Sequence, residues 1–211
     1  MTKLLPLGRS FYEPSAEIVA PLLLGHWLVR VTPEGLCGGP IVETEAYLCD
    51  DPACHGAPGL TQRNRIMFGP PGFAYVYFIY GAHYCVNAVC RPQGIAEAVL
   101  IRAVEVSLGE PQMRRRRASS SASHLTNGPA KLCEAMQIDR KLDGADLCDP
   151  QSALFIAKNE DLERFRNQRG PLVVTTRIGI TRAAASPLRF YLEGSNFISR
   201  RAKVPRSMNT A

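Results

Sequence analysis

The chain has 211 residues, and its 45% hydrophobic and 21% charged content is that of an ordinary globular protein, long enough to bury one core. Lys plus Arg number 25 against 19 for Asp plus Glu, giving a net charge of +6 and a pI near 9.1, a moderate tilt that fits a polyanionic partner without requiring one. No secretory signal opens the chain, no run approaches the roughly 18 apolar residues of a membrane span, and seven cysteines show no disulfide spacing, so a reduced, intracellular, soluble, single-domain protein is expected.

Ser15 is placed to cap a helix running to about Leu24 and stopping at Gly25, with Ile18, Val19, Leu22 and Leu23 at helical spacing. A strand over 26–32 follows, then a Pro-Glu-Gly turn, and Gly38-Gly39-Pro40 delivers the chain into a strand over 41–47, I-V-E-T-E-A-Y. This meander predicts antiparallel pairing. If residues 41–47 form a regular strand, Ile41, Glu43, Glu45 and Tyr47 share one face, and Val42, Thr44 and Ala46 the other.

Residues 48–60 read as a loop carrying Cys49, Asp51, Cys54 and His55, and 61–65 as a second loop bearing Arg63, Asn64 and Arg65. The apolar run 73–80, F-A-Y-V-Y-F-I-Y, and the run 83–89 form a hairpin about Tyr80-Gly81. Tyr80 sits at its tip, where an exposed aromatic calls for a reason. Residues 97–106 are another strand, with Arg102 set in an apolar stretch, and 112–117 a helix rich in arginine. A helix starts at Pro129 behind Asn127-Gly128 and places Lys131 in its first turn, a seat for phosphate. Strands are expected at 153–157, 172–180 and from Leu188, a polar stretch at 158–170, and a basic tail from Arg200.

The two glutamates admit two readings. They pair with arginines from basic loops, or they work on one bond, as two carboxylates do in glycoside hydrolysis. The aromatics Tyr47, Tyr75 and Tyr77 are either sheet core or the walls of a slot for a flat, electron-poor ring. Cys49, Cys54 and His55, with His83, Cys85 and Cys90, match zinc spacing poorly, and no metal or cofactor is expected. No P-loop, dinucleotide fingerprint or nucleophile elbow is present. The run Arg114–Arg117 is a solvated helix face or, with Arg63, Arg65 and Lys131, part of a phosphate rim.

Taken in order, I-V-E-T-E-A-Y, R-N-R-x-M-F, Y-V-Y-x-I-Y-G and its following C-x-N, V-L-I-R-A, N-G-P-A-K-L, R-I-G-I and P-L-R-F-Y resemble the alkyladenine-type 3-methyladenine DNA glycosylases, from about Phe11 to Ser199. The resemblance implies an α+β fold: a compact single domain whose curved, mainly antiparallel sheet is flanked by helices and carries a protruding, DNA-intercalating hairpin. It assigns Glu45 as the base that deprotonates the attacking water and Arg102 as a residue positioning that water. Tyr47, His55 and Tyr77 become walls that stack a flipped-out base, and Tyr80 the wedge left in the duplex. Asn87 crowds the 2-amino group of normal guanine, and the strand about Ile178 and Ile180 meets the base through its backbone. Glu43 becomes a supporting residue held by an Arg. His83 departs from the family, which commonly has an aromatic there. The implied partner is double-stranded DNA containing damaged purines, met by a monomer with no membrane attachment in a cytoplasm or nucleoid, or in a nucleus. The alternative is a non-catalytic protein that binds damaged or single-stranded nucleic acid by the same stacking.

Overall fold

A computed structural model describes residues 4–79, 81–119 and 121–202. In chain order the elements are α1 (Ala16–Leu23), β1 (Trp27–Thr32), β2 (Gly35–Tyr47), β3 (Ala74–Ile79), β4 (His83–Cys90), β5 (Glu97–Val104), α2 (Glu110–Arg117), α3 (Ser123–Thr126), α4 (Pro129–Ala135), β6 (Leu154–Ala157), α5 (Leu162–Gln168), β7 (Leu172–Thr175) and β8 (Arg189–Leu192). The strands form one curled antiparallel sheet in the order β3-β4-β5-β2-β1-β6, and β8 pairs with β2 and carries β7 at its outer edge.

The sheet is organised by β2. Its first half pairs with β1, from Gly35 opposite Thr32 to Pro40 opposite Trp27. Its second half lies between β5 and β8. The strand runs unbroken through Gly38-Gly39-Pro40, which the sequence reading took as its approach. Those glycines are where other backbone comes closest. A Cβ on Gly38 would stand 2.0 Å from the Leu28 carbonyl oxygen, and one on Gly39 would stand 1.7 Å from that of Glu105.

One irregularity decides which side chains share a face. The register pairs Ile41 with Val104, Glu43 with Ala103 and Thr44 with Ile101, so Val42 and then Arg102 are passed over. Ile41 therefore packs in the main core with Ala46, and Thr44 donates to the Ala20 carbonyl of α1. Val42 packs instead with Ala103, Tyr191 and Ile198. Regular alternation predicts the reverse for Ile41 and Val42, and the bulge corrects it. From Glu43 to Tyr47 the expected alternation holds.

The main core lies on the sheet face that carries Ala74, Val76, Val86, Ala88, Val99 and Ile101, and α1, α4, Met113 of α2 and Leu125 of α3 cover it. On α1 the buried stripe is Ala16, Val19, Ala20 and Leu23, while Ile18 and Leu22 are exposed. Its first N–H is capped by Oε2 of Glu97 at 2.8 Å, not by the Ser15 side chain. The polar stretch 158–170 contains a helix, α5, seated by Leu162 and Phe165 against Gly25, where a Cβ would stand 2.7 Å from a Leu162 methyl. The arginines of α2 are committed to acids: Arg114 to Glu110, Arg115 and Arg116 to Glu34, and Arg117 to Glu134. Among the described residues no helix is long and apolar enough to cross a membrane.

Candidate active site

The opposite face of the sheet is lined at every second residue by side chains that leave a space rather than fill it. Tyr75, Tyr77 and Ile79 of β3, Cys85 and Asn87 of β4, and Ala98, Leu100 and Arg102 of β5 surround a cavity of about 330 Å³. Tyr47, His55, Met67, Pro129 and the segment Ile178 to Ile180 complete its walls. Its size falls at the lower end of small-ligand pockets, roughly 300–1,000 Å³.

Glu45 stands directly behind this wall, fully buried. Its Oε2 accepts from the Tyr47 hydroxyl at 2.9 Å, and its Oε1 accepts from the Ile178 N–H at 2.8 Å. The same Oε1 lies 3.2 Å from Nη1 of Arg102. All three partners line the cavity. Burial, and then the charge of Glu45, push the Tyr47 hydroxyl well above its ordinary pKa, so the phenol stays protonated and remains a donor.

Glu43 is equally buried but fully occupied. Its Oε1 accepts from Nε of Arg102 at 2.9 Å, Nη1 of Arg189 at 2.9 Å and Oγ of Ser199 at 2.8 Å, and its Oε2 accepts from the Ser199 N–H at 2.7 Å. Arg102 thus holds both acids, and its Nη2 also donates to Ser199. Burial opposes its charge, but Glu45 and Glu43 outweigh that and raise its pKa. Four donors thus surround the Glu43 carboxylate.

The aromatic wall is a packed cluster. The His55 and Tyr77 rings lie 4.5 Å apart at 66°, and Tyr75 and Tyr77 lie 5.3 Å apart. His55 shares a 3.0 Å hydrogen bond from Nδ1 to the Tyr75 hydroxyl, and its backbone carbonyl accepts from Asn64 at 2.7 Å. Burial, then the charge of Arg63, lower the His55 pKa, so the imidazole facing the cavity is neutral. Asn87 is buried and donates to the Tyr75 carbonyl at 3.1 Å. Tyr47 stands apart: one face of its ring is covered by the guanidinium of Arg177, 4.6 Å from the centroid.

The structure therefore gathers Glu45, Tyr47, His55, Tyr77, Asn87, Arg102, Ile178 and Ile180 about one cavity. Ile178 and Ile180 belong to no strand. β7 ends at Thr175, the chain turns at Gly179 with φ +78°, and the Ile178 N–H just before that turn points at Glu45. Arg63 and Arg65 are exposed, and Nη2 of Arg63 donates to the Phe78 carbonyl at 3.3 Å. Lys131 donates to Oδ1 of Asn127 at 2.9 Å. β3 and β4 pair from Ala74 with Ala88 to Ile79 with His83, but Tyr80 lies outside the described residues. The sequence reading missed Arg177, Asp51, Arg189 and Ser199. All seven cysteines are free, and among the described residues no three His, Cys, Asp or Glu side chains cluster as a metal-binding set.

A curled antiparallel sheet, flanked by helices and presenting a buried carboxylate behind an aromatic cavity, defines a protein of the α+β class. Residues 10–196 match the sequence profile of the family described as methylpurine-DNA glycosylase (MPG). A protein of Carboxydothermus hydrogenoformans is 48% identical over 195 residues, covering 92% of this chain and 99% of that protein. One from Methanoculleus marisnigri is 47% identical, with 92% and 99% coverage, and one from Nitrobacter winogradskyi 45% identical, with 92% and 88%. Each of the three is provisionally named 3-methyladenine DNA glycosylase. The chain belongs to the methylpurine-DNA glycosylase family, and it is a DNA glycosylase, a hydrolase that acts on DNA.

Proposed function

We propose that the protein excises alkylated and deaminated purines, among them 3-methyladenine, 7-methylguanine, hypoxanthine and ethenoadenine, from double-stranded DNA in base-excision repair. The observation that carries this reading is the seat of Glu45: a wholly buried carboxylate whose three partners, Tyr47, Arg102 and Ile178, all line a cavity with room for a purine. The target nucleotide leaves the stack, because its glycosidic bond is out of reach inside a duplex. Tyr80 fills the gap, and Arg63, Arg65 and Lys131 hold flanking phosphates as a single copy of the chain grips the cell's own DNA. The base stacks among Tyr47, His55 and Tyr77, and Asn87 crowds a guanine 2-amino group.

Glu45 then takes a proton from a water positioned with Arg102. The water oxygen bonds to C1′ as the C1′–N bond breaks, and the bonding pair departs with the base. A 3-methyladenine or 7-methylguanine ring is already cationic, so that pair neutralises it and no strong general acid is needed. Glu43 keeps Arg102 in place. Among the described residues no lysine lines the cavity, which favours hydrolysis over an imine intermediate and leaves the abasic strand intact.

The test is a set of duplexes, each carrying one lesion, incubated with enzyme and then cleaved with alkali at abasic sites. The wild type releases the damaged base, and Glu45→Gln slows release by at least about 100-fold while duplex binding survives. Near-normal rates in Glu45→Gln overturn the mechanism. Salt-sensitive binding by the wild type with no release from any duplex identifies a binding protein instead.

A further inference from the structure

Arg177 is buried as deeply as Glu45, yet neither the base reading nor the water reading uses it. Its side chain is fully inaccessible and that of Asp51 nearly so. Nη1 of Arg177 bonds to Oδ2 of Asp51 and donates to the Ala46 carbonyl at 3.0 Å. Nε and Nη2 have no hydrogen-bond partner among the described residues. Asp51 is fixed in turn, since its Oδ1 accepts from the Ala53 N–H at 2.9 Å. The guanidinium is therefore anchored through one nitrogen, and its central carbon lies over the Tyr47 ring, 4.6 Å from the centroid. A buried arginine with donors left over is a costly way to support a tyrosine, and an apolar side chain would pack there more cheaply.

An aromatic ring has two faces and one quadrupole. A cation on one face opposes a cation on the other, through space and by drawing on the same π density. Arg177 occupies one face of Tyr47 and does not itself line the cavity that Tyr47 walls, so the face left for a stacked base is the one Arg177 does not cover. Asp51, bonded to Arg177, returns an equal negative charge, so the field behind Tyr47 is balanced. We propose that the Arg177–Asp51 pair sets the charge preference of the Tyr47 stacking face, holding cationic and neutral purines near parity. This deepens the glycosylase reading and rests on it. The pair touches no substrate; it acts through Tyr47.

Removing either member unbalances the field in opposite senses. Arg177→Gln leaves the Asp51 carboxylate behind the ring and favours a cationic base. Asp51→Asn keeps the Ala53 acceptor but leaves Arg177 uncompensated and disfavours one. A purely structural role moves both lesions together and in the same direction for both variants. The experiment measures single-turnover excision of 7-methylguanine (cationic) and hypoxanthine (neutral) from otherwise identical duplexes. Relative to wild type, the 7-methylguanine to hypoxanthine rate ratio rises at least about threefold in Arg177→Gln and falls at least about threefold in Asp51→Asn, while Arg177→Lys, which keeps the charge, stays within about twofold. Shifts of the same sign, or smaller ones, overturn the proposal. Where Arg177→Gln does not fold, the fall in Asp51→Asn decides alone. A wild type that releases neither base sinks the glycosylase reading and this proposal with it, whereas a wild type that releases both, with an unmoved ratio in the variants, sinks this proposal alone.

Discussion

The Tyr47 hydroxyl donates to Oε2 of Glu45 across 2.9 Å, so one side chain both walls the cavity and holds the buried acid behind it. The two duties are separable. Tyr47→Phe keeps the ring and removes the donor. A hydrogen bond to a charged group is worth about 1.5–3 kcal/mol, so excision slows by about 10- to 100-fold if that bond aligns Glu45 in the transition state. Single-turnover rates on a hypoxanthine duplex check this, with duplex affinity measured beside them and expected to change little, since the stacking surface survives.

Glu43 and Glu45 differ by their partners, and the difference is measurable. Glu43→Gln removes the charge that Arg102 and Arg189 share. Breaking a buried ion pair from one side costs about 3–5 kcal/mol, and urea unfolding should show a loss of that order. Excision by the folded variant, at a temperature well below its midpoint, falls by no more than about tenfold, against at least about 100-fold for Glu45→Gln. Equal catalytic losses in the two variants would return the site to a two-carboxylate mechanism.

Asn87 donates to the Tyr75 carbonyl from beneath the cavity. Asn87→Ser shortens the side chain and opens room where a 2-amino group would sit. Release of undamaged guanine rises relative to hypoxanthine, and stability falls by about 1 kcal/mol for the lost hydrogen bond. Both readings come from one preparation: neutral-pH incubation with unmodified duplex, and a thermal melt.

His26 supplies a pH dependence remote from the chemistry. Burial first, then the charges of Arg166 and Lys158, lower its pKa to about 4, and its Nδ1 accepts from the Asn159 N–H at 3.2 Å. The folded state therefore resists the proton that the unfolded chain takes up near pH 6.5. The contribution is complete above pH 6.5 and is lost as pH falls toward 4, by up to about 2–3 kcal/mol. Urea midpoints between pH 7 and 4 should decline, and His26→Asn should flatten that part of the decline. A variant with the wild-type slope would place the acid sensitivity elsewhere.

Legibility from the chain followed the range of the interactions. The hairpin strands and β5 are dense in β-branched and aromatic residues, and local pattern suffices for them. The pairing of acids on β2 survives because the bulge falls at Val42, one residue before Glu43. Alternation cannot reveal a bulge compensated by a second passed-over residue, Arg102, on another strand. The α5 segment L-E-R-F-R-N-Q buries too little to show a helical stripe; it is held through Leu162 and Phe165 over Gly25. Residues 177–180 read as strand by composition, but Gly179 turns the backbone. Arg177 was invisible as a site residue because its partner Asp51 lies 126 positions earlier.

The Ser199 clamp on Glu43 joins positions 156 apart. Arg189 reinforces it, bonding Glu43 with Nη1 and giving the same nitrogen to the Arg200 carbonyl. The donors on Glu43 therefore come from three separate stretches of chain: Arg102 of β5, Arg189 of β8, and Ser199 beyond β8. The seat of Glu43 is thus a property of the assembled sheet and not of β2 alone: no local segment carries the donors that its buried charge needs.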